Sequence, residues 1–306
     1  MDNELLLFDR LQVIQATNQK YDLENNAYLS FSGGKDSTIL HHLLDMALPN
    51  NRIPRVFIDT GIEFNMIREF VMGLAKDDDR FVILKPTRPI IQTLEKYGYP
   101  FKSKQHSHNL AVYQNNMKET KSIRTYLYDE PTTNGKHTMF TCPKELRYQF
   151  TPEFKIKCSD KCCLKLKKEP AHKWQKANNR TITITGMRKS EGGNRIQLNN
   201  CILTDSKGQV QKFHPLVKVD DEWENWFIER ERERVALAPL YCQPYNFKRT
   251  GCKGCPFALD LQEQLEIMER YLPNERKQCE MIWKPIYAEY RRLGYRLKKV
   301  EKVRLF

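Results

Sequence analysis

Short apolar runs alternate with segments of helical periodicity along the first hundred residues. Apolar runs at 26–32, 54–58 and 81–84 predict strands, and apolar residues at helical spacing predict helices over 36–48 and 90–97. Strands that alternate with helices are typical of a parallel sheet with right-handed crossovers. The pattern therefore predicts an α/β fold with a parallel, doubly wound, Rossmann-like sheet.

Outside these segments the pattern predicts mainly helix. Residues 4–17 have an amphipathic pattern, and Phe64, Ile67 and Phe70 would share one face of another helix. One late strand is predicted, at Thr181–Thr185. Helical periodicity dominates the C-terminal third, over 222–233, 259–271 and 275–293.

The stretch from 100 to 160 lacks a clear period. It is rich in His, Thr, Asn and Gly, which favour irregular backbone. We therefore expect long loops there, or an insertion over the active site.

Charge adds an argument about partners. The 306 residues carry a net charge of +13, and such an excess indicates polyanionic partners, either nucleotides or nucleic acid. A surplus that only serves solubility is the alternative. Seven basic residues crowd the C-terminal stretch 291–304, where they could follow a phosphate backbone or cover a solvated helix: Arg291, Arg292, Arg296, Lys298, Lys299, Lys302 and Arg304.

The sequence shows no sign of a membrane span or a secretory signal. Its apolar stretches are too short to cross a bilayer, and no basic segment precedes the short apolar run at the N-terminus. We therefore expect a cytoplasmic protein with no membrane partner, in which thiols stay reduced.

The most informative segment is a glycine turn between the first predicted strand and its helix, Ser32-Gly33-Gly34-Lys35-Asp36-Ser37. Two glycines let the backbone approach a ligand closely, and the amides of the turn and of the helix N-terminus converge on one point. Such a point binds phosphate. The spacings of the Walker A loop and of the dinucleotide-binding turn are absent, and a plain tight turn is the alternative.

Two further strand ends carry glycine and polar residues. Asp59-Thr60-Gly61 follows the second strand, and Gly186-Met187-Arg188 follows the late one. Because ligands collect at the carboxyl ends of parallel strands, we expect one shared nucleotide site there, which Arg195 would join. A helix N-cap at Asp59 and surface ion pairs at the two arginines are the alternatives.

Nine cysteines in a reducing compartment indicate a role other than disulfides. Cys158, Cys162 and Cys163 form one dense group, and Cys252 and Cys255 form a Cys-x2-Cys turn flanked by glycines. Four thiolates from the two groups would suit zinc or an iron–sulfur cluster. The spacing leaves open which metal is bound and which cysteine of the first group is left out.

The other cysteines have no such spacing. Cys201, Cys242 and Cys279 stand among apolar neighbours, and we expect them in the core. Cys142 is isolated and stays unassigned.

The segment Ser32–Ser37 resembles the PP-loop of the adenine nucleotide α-hydrolase-like superfamily, whose members typically split ATP into AMP and pyrophosphate or hold a sulfated adenylate. Over 26–258 the chain resembles the phosphoadenosine phosphosulfate reductase family of that superfamily. The likeness rests on the loop, the two strand ends through Arg195, and the cysteine groups. It implies a [4Fe–4S] cluster held by Cys162, Cys163, Cys252 and Cys255, with Cys158 as the alternate.

Two departures separate the chain from the reductases of that family. Those enzymes carry a catalytic cysteine in a C-terminal Glu-Cys-Gly-Leu-His segment, whereas no cysteine follows Cys279 here. The loop also has the full Ser-Gly-Gly-Lys-Asp-Ser form. That form resembles the ATP sulfurylase small subunit and the DNA-phosphorothioation member of the family, which handle ATP itself.

The resemblance implies an ATP-using enzyme of sulfur chemistry that adenylates its substrate, releases pyrophosphate and transfers sulfur. Lys35, Asp36 and Arg188 would be catalytic, Mg²⁺ would accompany the phosphates, and Asp59 would lie near the adenosine or the metal. The remaining nucleotide contacts would come from Ser32, Gly33, Gly34, Ser37, Thr60, Gly61, Gly186 and Arg195. The charge suggests a DNA or RNA acceptor, and a sulfur-donor or reductant protein would complete the reaction.

Two alternatives remain. A reductase of adenylyl sulfate or phosphoadenylyl sulfate would need a nucleophilic thiol, either from a partner or from Cys142 if that residue is exposed with a depressed pKa. A nucleotide- or nucleic-acid-binding module without catalysis is the other. In each case we expect an N-terminal helix over 1–25, a PP-loop domain with a cysteine-containing insertion over 26–220, and a helical region over 221–306.

Overall fold

The computed structural model describes residues 2–138 and 140–299. Lys302 and Arg304, predicted above as part of a phosphate-binding tail, lie outside the described residues. None of the described helices is long and apolar enough to cross a bilayer.

The described residues form a sheet of six strands in the order β3-β2-β1-β4-β6-β5. Neighbouring strands pair in parallel, except that β5 pairs antiparallel with β6. This confirms the α/β fold with a doubly wound sheet. The strands are β1 Ala27–Ser30, β2 Arg55–Ile58, β3 Phe81–Leu84, β4 Ile182–Ile184, β5 Ile202–Thr204 and β6 Val210–Phe213.

Helices connect the strands and make up most of the C-terminal third. In chain order they are α1 Asn3–Tyr21, α2 Leu23–Asn26, α3 Lys35–Ala47, α4 Asn65–Asp77, α5 Ile90–Tyr97, α6 Lys104–Asn116, α7 Lys121–Tyr128, α8 Lys161–Cys163, α9 Glu169–Ala177, α10 Asp221–Arg230, α11 Leu261–Tyr271, α12 Pro273–Ile282 and α13 Lys284–Leu293.

The contacts divide the chain into two compact units. The first contains Met1–Asp59, Glu63–Pro86 and Glu169–Gly251, and the second contains Thr60–Ile62, Thr87–Lys168 and Cys252–Phe306. All six strands belong to the first unit, and β1 is buried there at three successive positions, Ala27, Tyr28 and Leu29. A strand covered on both faces is typical of a parallel α/β sheet. The domain boundaries expected at 25 and 220 stay predictions.

Two predictions of secondary structure were wrong, and one pair of strands was not predicted. The stretch 100–160 contains α6 and α7 instead of long loops alone, and the helix expected over 275–293 is divided at Trp283. Pro285 explains the division, because it has no amide hydrogen for the helical ladder. The pair of strands β5 and β6 was missed, since three or four half-exposed residues are too short to show a period.

A buried ion network holds the amino ends of β2 and β3 in the first unit. The Arg55 guanidinium, fully buried, donates to Asp45 Oδ1 at 2.6 Å and to His41 Nδ1 at 3.1 Å. Arg80 donates to the same carboxylate at 2.7 Å. Burial alone would raise the pKa of Asp45, but the Arg80 hydrogen bond and the Arg55 charge outweigh it and lower that pKa to about 2.

Replacing Asp45 by Ala should leave the Arg55 charge buried without its carboxylate and lower the free energy of unfolding by about 3 kcal/mol. The matched control is Asp79→Ala, which removes an exposed partner of Arg52 and should change the free energy of unfolding far less, because solvent screens exposed ion pairs. Because the folded-state pKa is depressed, the Asp45 contribution should be complete above about pH 4 and disappear as the pH falls toward 2. Denaturant titrations across that range measure it, and equal losses for both variants would contradict the assignment.

Candidate functional site

The order of the strands places a topological switch point at β1. From β1 the chain continues to β2 and β3 on one side of the sheet, and later to β4 and β6 on the other. Ligands of open α/β sheets bind at the carboxyl ends of the strands next to such a point. The segments 32–37 and 186–188 follow β1 and β4 there, so the fold brings two of the predicted motifs together.

Gly33 gives the loop its shape. Its φ of +70° is a left-handed conformation that residues with a side chain rarely adopt. A Cβ at this position would also lie 2.8 Å from methyl groups of both Ile67 and Val71 on α4. Close packing against α4 therefore requires glycine here.

The two loop serines tie the turn together from inside. The Ser37 hydroxyl accepts from the Ser32 amide at 3.2 Å and donates to the Gly34 carbonyl at 2.9 Å. The Ser32 hydroxyl accepts from the Gly34 amide at 3.3 Å. Both hydroxyls thus stabilise the bend, in addition to any contact they make with a ligand.

Two hydroxyls from a later segment lie against the loop. Tyr241 and Thr250 hydrogen-bond to each other, and they would lie 3.3 and 3.4 Å from a Cβ on Gly34. Burial raises the pKa of the Tyr241 phenol to about 12, opposed by its bonds to Thr250 and to the Lys35 amide. The Tyr241 phenol thus lies beside the first amide of α3, where a phosphate bound by that amide would meet it.

A charge network surrounds the start of α3. Lys35 Nζ lies 3.0 Å from one carboxylate oxygen of Glu224, and Arg188 Nε lies 3.2 Å from the other. Arg188 also contacts the carboxylates of Asp36 at 2.7 Å and Asp221 at 2.8 Å. Glu224 on α10 is fully buried, so burial, followed by the hydrogen bond and the charge of Asp36, raises its pKa.

A cavity of about 650 Å³ opens beside this network, entirely within the first unit. Both predicted catalytic cations, Lys35 and Arg188, border it. The other lining residues are Ser190, Glu191, Asp221, Asn225, Ile228, Glu229, Leu237, Tyr241, Asn246, Phe247, Lys248 and Arg249.

Two more predicted residues belong to this neighbourhood. A Cβ on Gly186 would lie 2.9 to 3.0 Å from Asp36, so the turn after β4 packs directly on the first turn of α3. Arg195 pairs with Glu191. Burial lowers the pKa of Arg195, the charge of Asp36 opposes this shift, and the charge of Arg188 adds to it. Arg195 is therefore within electrostatic reach of both side chains.

The Asp59–Gly61 motif has a different setting. Asp59 is buried and accepts a hydrogen bond from Arg68 Nε at 3.0 Å. Thr60 and Gly61 belong to the second unit, where the Thr60 hydroxyl accepts from the Ile62 amide at 3.4 Å. Their part in a nucleotide site stays a prediction.

The cysteines of the two predicted groups lie within the second unit. The sulfur atoms of Cys162 and Cys163 are 4.0 Å apart, at the start of a π-helical turn over Leu164–Lys168. The hydrogen bond to Cys163, burial, and the charges of Cys163, Cys255 and Cys252 all raise the pKa of Cys162. The four thiols are thus within electrostatic reach of one another.

The C-terminal helices brace the Cys-x2-Cys turn. Gly254 has a φ of +59°, and a Cβ there would run into Tyr287 and Cys279. The Trp283 indole donates to the Lys253 carbonyl at 3.1 Å, and the Tyr287 hydroxyl donates to the Gly254 carbonyl at 2.5 Å. The turn is therefore held through its backbone carbonyls.

The donor chemistry fits a soft metal centre, because four thiols near one another suit zinc or an iron–sulfur cluster. Within residues 2–138 and 140–299, however, no three His, Cys, Asp or Glu side chains approach closely enough to hold a metal ion. Cys158 differs from these four: burial raises the pKa of its thiol, and the charge of Glu289, rather than that of a cysteine, adds to the shift. The ligand set stays a prediction.

The structure does not meet the condition that one alternative set for Cys142, and one expectation about the other cysteines was wrong. Cys142 is 2% exposed and burial raises its pKa to about 11, so it is not the exposed, low-pKa nucleophile that a reductase would need. Cys242 is exposed rather than in the core, because it caps a short 3₁₀ turn at the surface. Cys279 is fully buried as expected, and Cys201 is half-buried.

Sequence reasoning missed the acidic and hydroxyl partners of the loop. Glu224 gave no signal, since it is one of several acids in a charged helix. Tyr241 and Thr250 stand just before the Cys-x2-Cys turn, and the Lys248-Arg249 pair beside them was the available signal.

Replacing Gly186 by Ala should lower the free energy of unfolding by about 1–3 kcal/mol, because the new methyl group overlaps the backbone of Asp36. The control is Gly73→Ala in α4, where nothing lies within 4 Å and alanine should stabilise the helix by about 1 kcal/mol. Denaturant unfolding measures both. A Gly186→Ala protein as stable as the wild type would contradict the close packing described here.

The chain resembles known proteins over most of its length. The model of the "Phosphoadenosine phosphosulfate reductase domain" family matches residues 26–258. An uncharacterized protein of Methanocaldococcus jannaschii is 37% identical over 244 residues, which cover 79% of this chain and 44% of that protein. The chain thus spans less than half the length of that relative.

Solved structures show more distant likenesses. Phosphoadenylyl-sulfate reductase from Candida auris, in a phosphate complex, is 17% identical, with 78% of this chain and 87% of that chain covered at a TM-score of 0.46. The U34-tRNA thiolase of Methanococcus maripaludis with its [4Fe–4S] cluster is 12% identical, with 95% and 81% covered at a TM-score of 0.39. Since the family match covers well over half of the sequence, this chain belongs to the phosphoadenosine phosphosulfate reductase family, in the PP-loop, adenine nucleotide α-hydrolase-like superfamily.

Proposed function

We propose that the chain is an ATP-using PP-loop enzyme of sulfur chemistry, which adenylates an acceptor, releases pyrophosphate and transfers sulfur. The proposal depends most on the loop 32–37, which has the full Ser-Gly-Gly-Lys-Asp-Ser motif and lies at the switch point. Lys35 of this loop and Arg188 border a cavity of about 650 Å³. Membership of the family supports a nucleotide substrate. The net charge of +13 supports a nucleic-acid acceptor.

In this mechanism the amides of the loop and Lys35 hold the β- and γ-phosphates of ATP. An oxygen of the acceptor attacks the α-phosphorus, and the bond to pyrophosphate breaks. Arg188 and Arg195 stabilise the charge that develops on the leaving pyrophosphate. A sulfur nucleophile from a donor protein then displaces AMP from the activated acceptor.

Magnesium would enter with the triphosphate. The metal ion would neutralise phosphate charge and polarise the phosphoryl oxygens. Asp36, the carboxylate within the loop, could hold the ion. Asp59 is engaged by Arg68 much as Asp36 is engaged by Arg188, so Asp59 could lie near the adenosine or the metal.

Glu224 would keep the two cations in place while the site is empty of nucleotide. Its carboxyl group contacts both Lys35 and Arg188, and it has no access to solvent. An arriving triphosphate offers more negative charge than one carboxylate, so Lys35 can exchange Glu224 for phosphate without moving far.

We further propose that Cys162, Cys163, Cys252 and Cys255 hold a [4Fe–4S] cluster, with zinc as the alternative. Their shared electrostatic neighbourhood and the braced turn support this. When bound, the cluster would relay sulfur or simply brace the site, and zinc would only brace the fold. The proposal includes a cytoplasmic location, in which cysteine thiols stay reduced.

The name of the family favours a second candidate, a reductase of adenylyl sulfate or phosphoadenylyl sulfate. Because Cys142 is buried, the nucleophilic thiol would have to come from a partner protein. Thiol-dependent release of sulfite from adenylyl sulfate would support that reaction. Nucleotide binding without turnover in either assay would instead indicate a binding module.

Exchange of labelled pyrophosphate into ATP tests the leading proposal, with sulfate, DNA and RNA offered as acceptors. Lys35→Met should lower the exchange rate at least about 100-fold, because a cation that stabilises the leaving phosphate is lost. Lys76→Met, at an exposed position on α4, should leave the rate unchanged. A Lys35→Met protein that folds normally and keeps its exchange rate would overturn the assigned role.

Metal analysis tests the cysteine site without depending on activity. Cys252→Ser should lose most of the bound iron or zinc, together with any visible absorption of a cluster, since serine is a much poorer ligand for these metals. Cys242→Ser, at an exposed cysteine outside the group, should keep the full metal content. A Cys252→Ser protein with wild-type metal content would contradict the proposed ligand set.

A further inference from the structure

The second unit contains a cavity that the proposed reaction does not use. It has a volume of about 470 Å³ and is formed by the end of α5, by α6 and by the segment that leads to α8. Its walls are Lys96, Tyr97, Ala111, Tyr113, Gln114, Asn115, Met117, Thr151, Pro152, Phe154, Lys155, Lys157, Cys158, Ser159 and Lys161.

The lining is strongly basic, with four lysines and neither Asp nor Glu. Lys155 Nζ donates to the Pro152 carbonyl at 2.8 Å, and Lys157 Nζ donates to the Lys96 carbonyl at 2.7 Å. Carbonyl groups carry no net charge, so both ammonium charges remain available. The exposed Glu153 is the acid whose pKa Lys155 helps to lower, and it does not line the cavity.

Aromatic rings stand among these charges. Tyr97, Tyr113 and Phe154 contribute to the walls, and Tyr97 is half-buried. The ammonium groups of Lys165 and Lys96 lie 5.0 and 5.5 Å from the centre of the Tyr97 ring. Rings framed by cations can stack on bases while the cations neutralise phosphates, as in proteins that bind single strands.

The polar groups of the cavity fit the same ligand. Gln114 is engaged, because its amide donates to the Ile156 carbonyl at 2.8 Å and accepts from the Cys158 amide at 3.0 Å. The neighbouring Asn115 is exposed and can meet the edge of a base. Tyr113 is buried, and Tyr97 and Phe154 are half-buried. An acidic peptide would use the lysines but would give the rings of Tyr97 and Phe154 no flat partner.

We propose that this lysine-rich cavity binds single-stranded nucleic acid, with one base against Tyr97 and the flanking phosphates on Lys155 and Lys157. The inference deepens the proposed function, on which it rests for the use of a nucleic-acid acceptor. It assigns acceptor binding to residues of the second unit that take no part in the nucleotide chemistry.

Fluorescence anisotropy of the full-length protein with a labelled single strand of about 16 nucleotides, as DNA and as RNA, tests the inference. The double variant Lys155→Gln with Lys157→Gln should bind more weakly. It should also reduce the slope of log affinity against log salt by about 1.4, since each lost phosphate contact on a single strand is worth about 0.7. The control pair Lys277→Gln with Lys284→Gln changes the net charge equally at exposed positions on α12 and α13 and should change neither quantity.

Tyr97→Ala provides a second readout. Loss of a stacked base should weaken binding about ten-fold and leave the salt slope unchanged. Equal losses in the lysine variant and its control, a Tyr97→Ala protein with wild-type affinity, or displacement of the strand by poly-glutamate at equal charge would each overturn the inference.

Pyrophosphate exchange without nucleic acid separates this failure from that of the proposed function. If wild-type exchange is present and strand binding is absent, the inference fails alone. If strand binding follows the expected pattern while exchange is absent under every condition, the proposed reaction fails and the binding surface stands.

Discussion

One buried carboxyl group, Glu224, contacts both cations of the candidate site, Lys35 and Arg188. A carboxyl group without access to water is costly unless it is paired. Burial and Asp36 raise the pKa of Glu224, and the charges of Lys35 and Arg188 oppose that rise. Glu224, Lys35 and Arg188 lie on α10, on α3 and after β4, far apart in the sequence. Their pairing fixes the positions of both cations at the loop, so the site depends on a helix that contributes no recognised motif.

The parts of the fold that the sequence predicts are those where one period or one motif dominates. The parallel strands and the loop at 32–37 belong to this class. Helix α6 does not belong to this class, because its buried face includes the polar residues His106, Ser107 and Asn109. These residues interrupt the apolar period that would predict a helix. The sequence feature that could have predicted α6 and α7 is the N-cap residue of each helix. The side chains of Ser103 and Thr120 accept hydrogen bonds from amides at the starts of α6 and α7.

The candidate site divides in the same way. Lys35, Asp36 and Arg188 could be predicted because a short motif and a strand end mark them. Glu224 could not be, since its burial depends on tertiary packing and its neighbours on α10 are also charged. The cysteine spacing indicates the type of donor, but neither the metal nor the distances among the thiols follow from spacing alone.

The interleaving of the two units has a consequence for biosynthesis. Each unit is assembled from three separate stretches of the chain, and the last stretch of the first unit ends at Gly251. Neither unit can therefore be complete before a ribosome has passed that residue, and no single cut yields either one whole. Strands β1, β2 and β3 are thus synthesised well before the stretch that completes their unit, and incomplete units expose apolar surface and strand edges that favour aggregation.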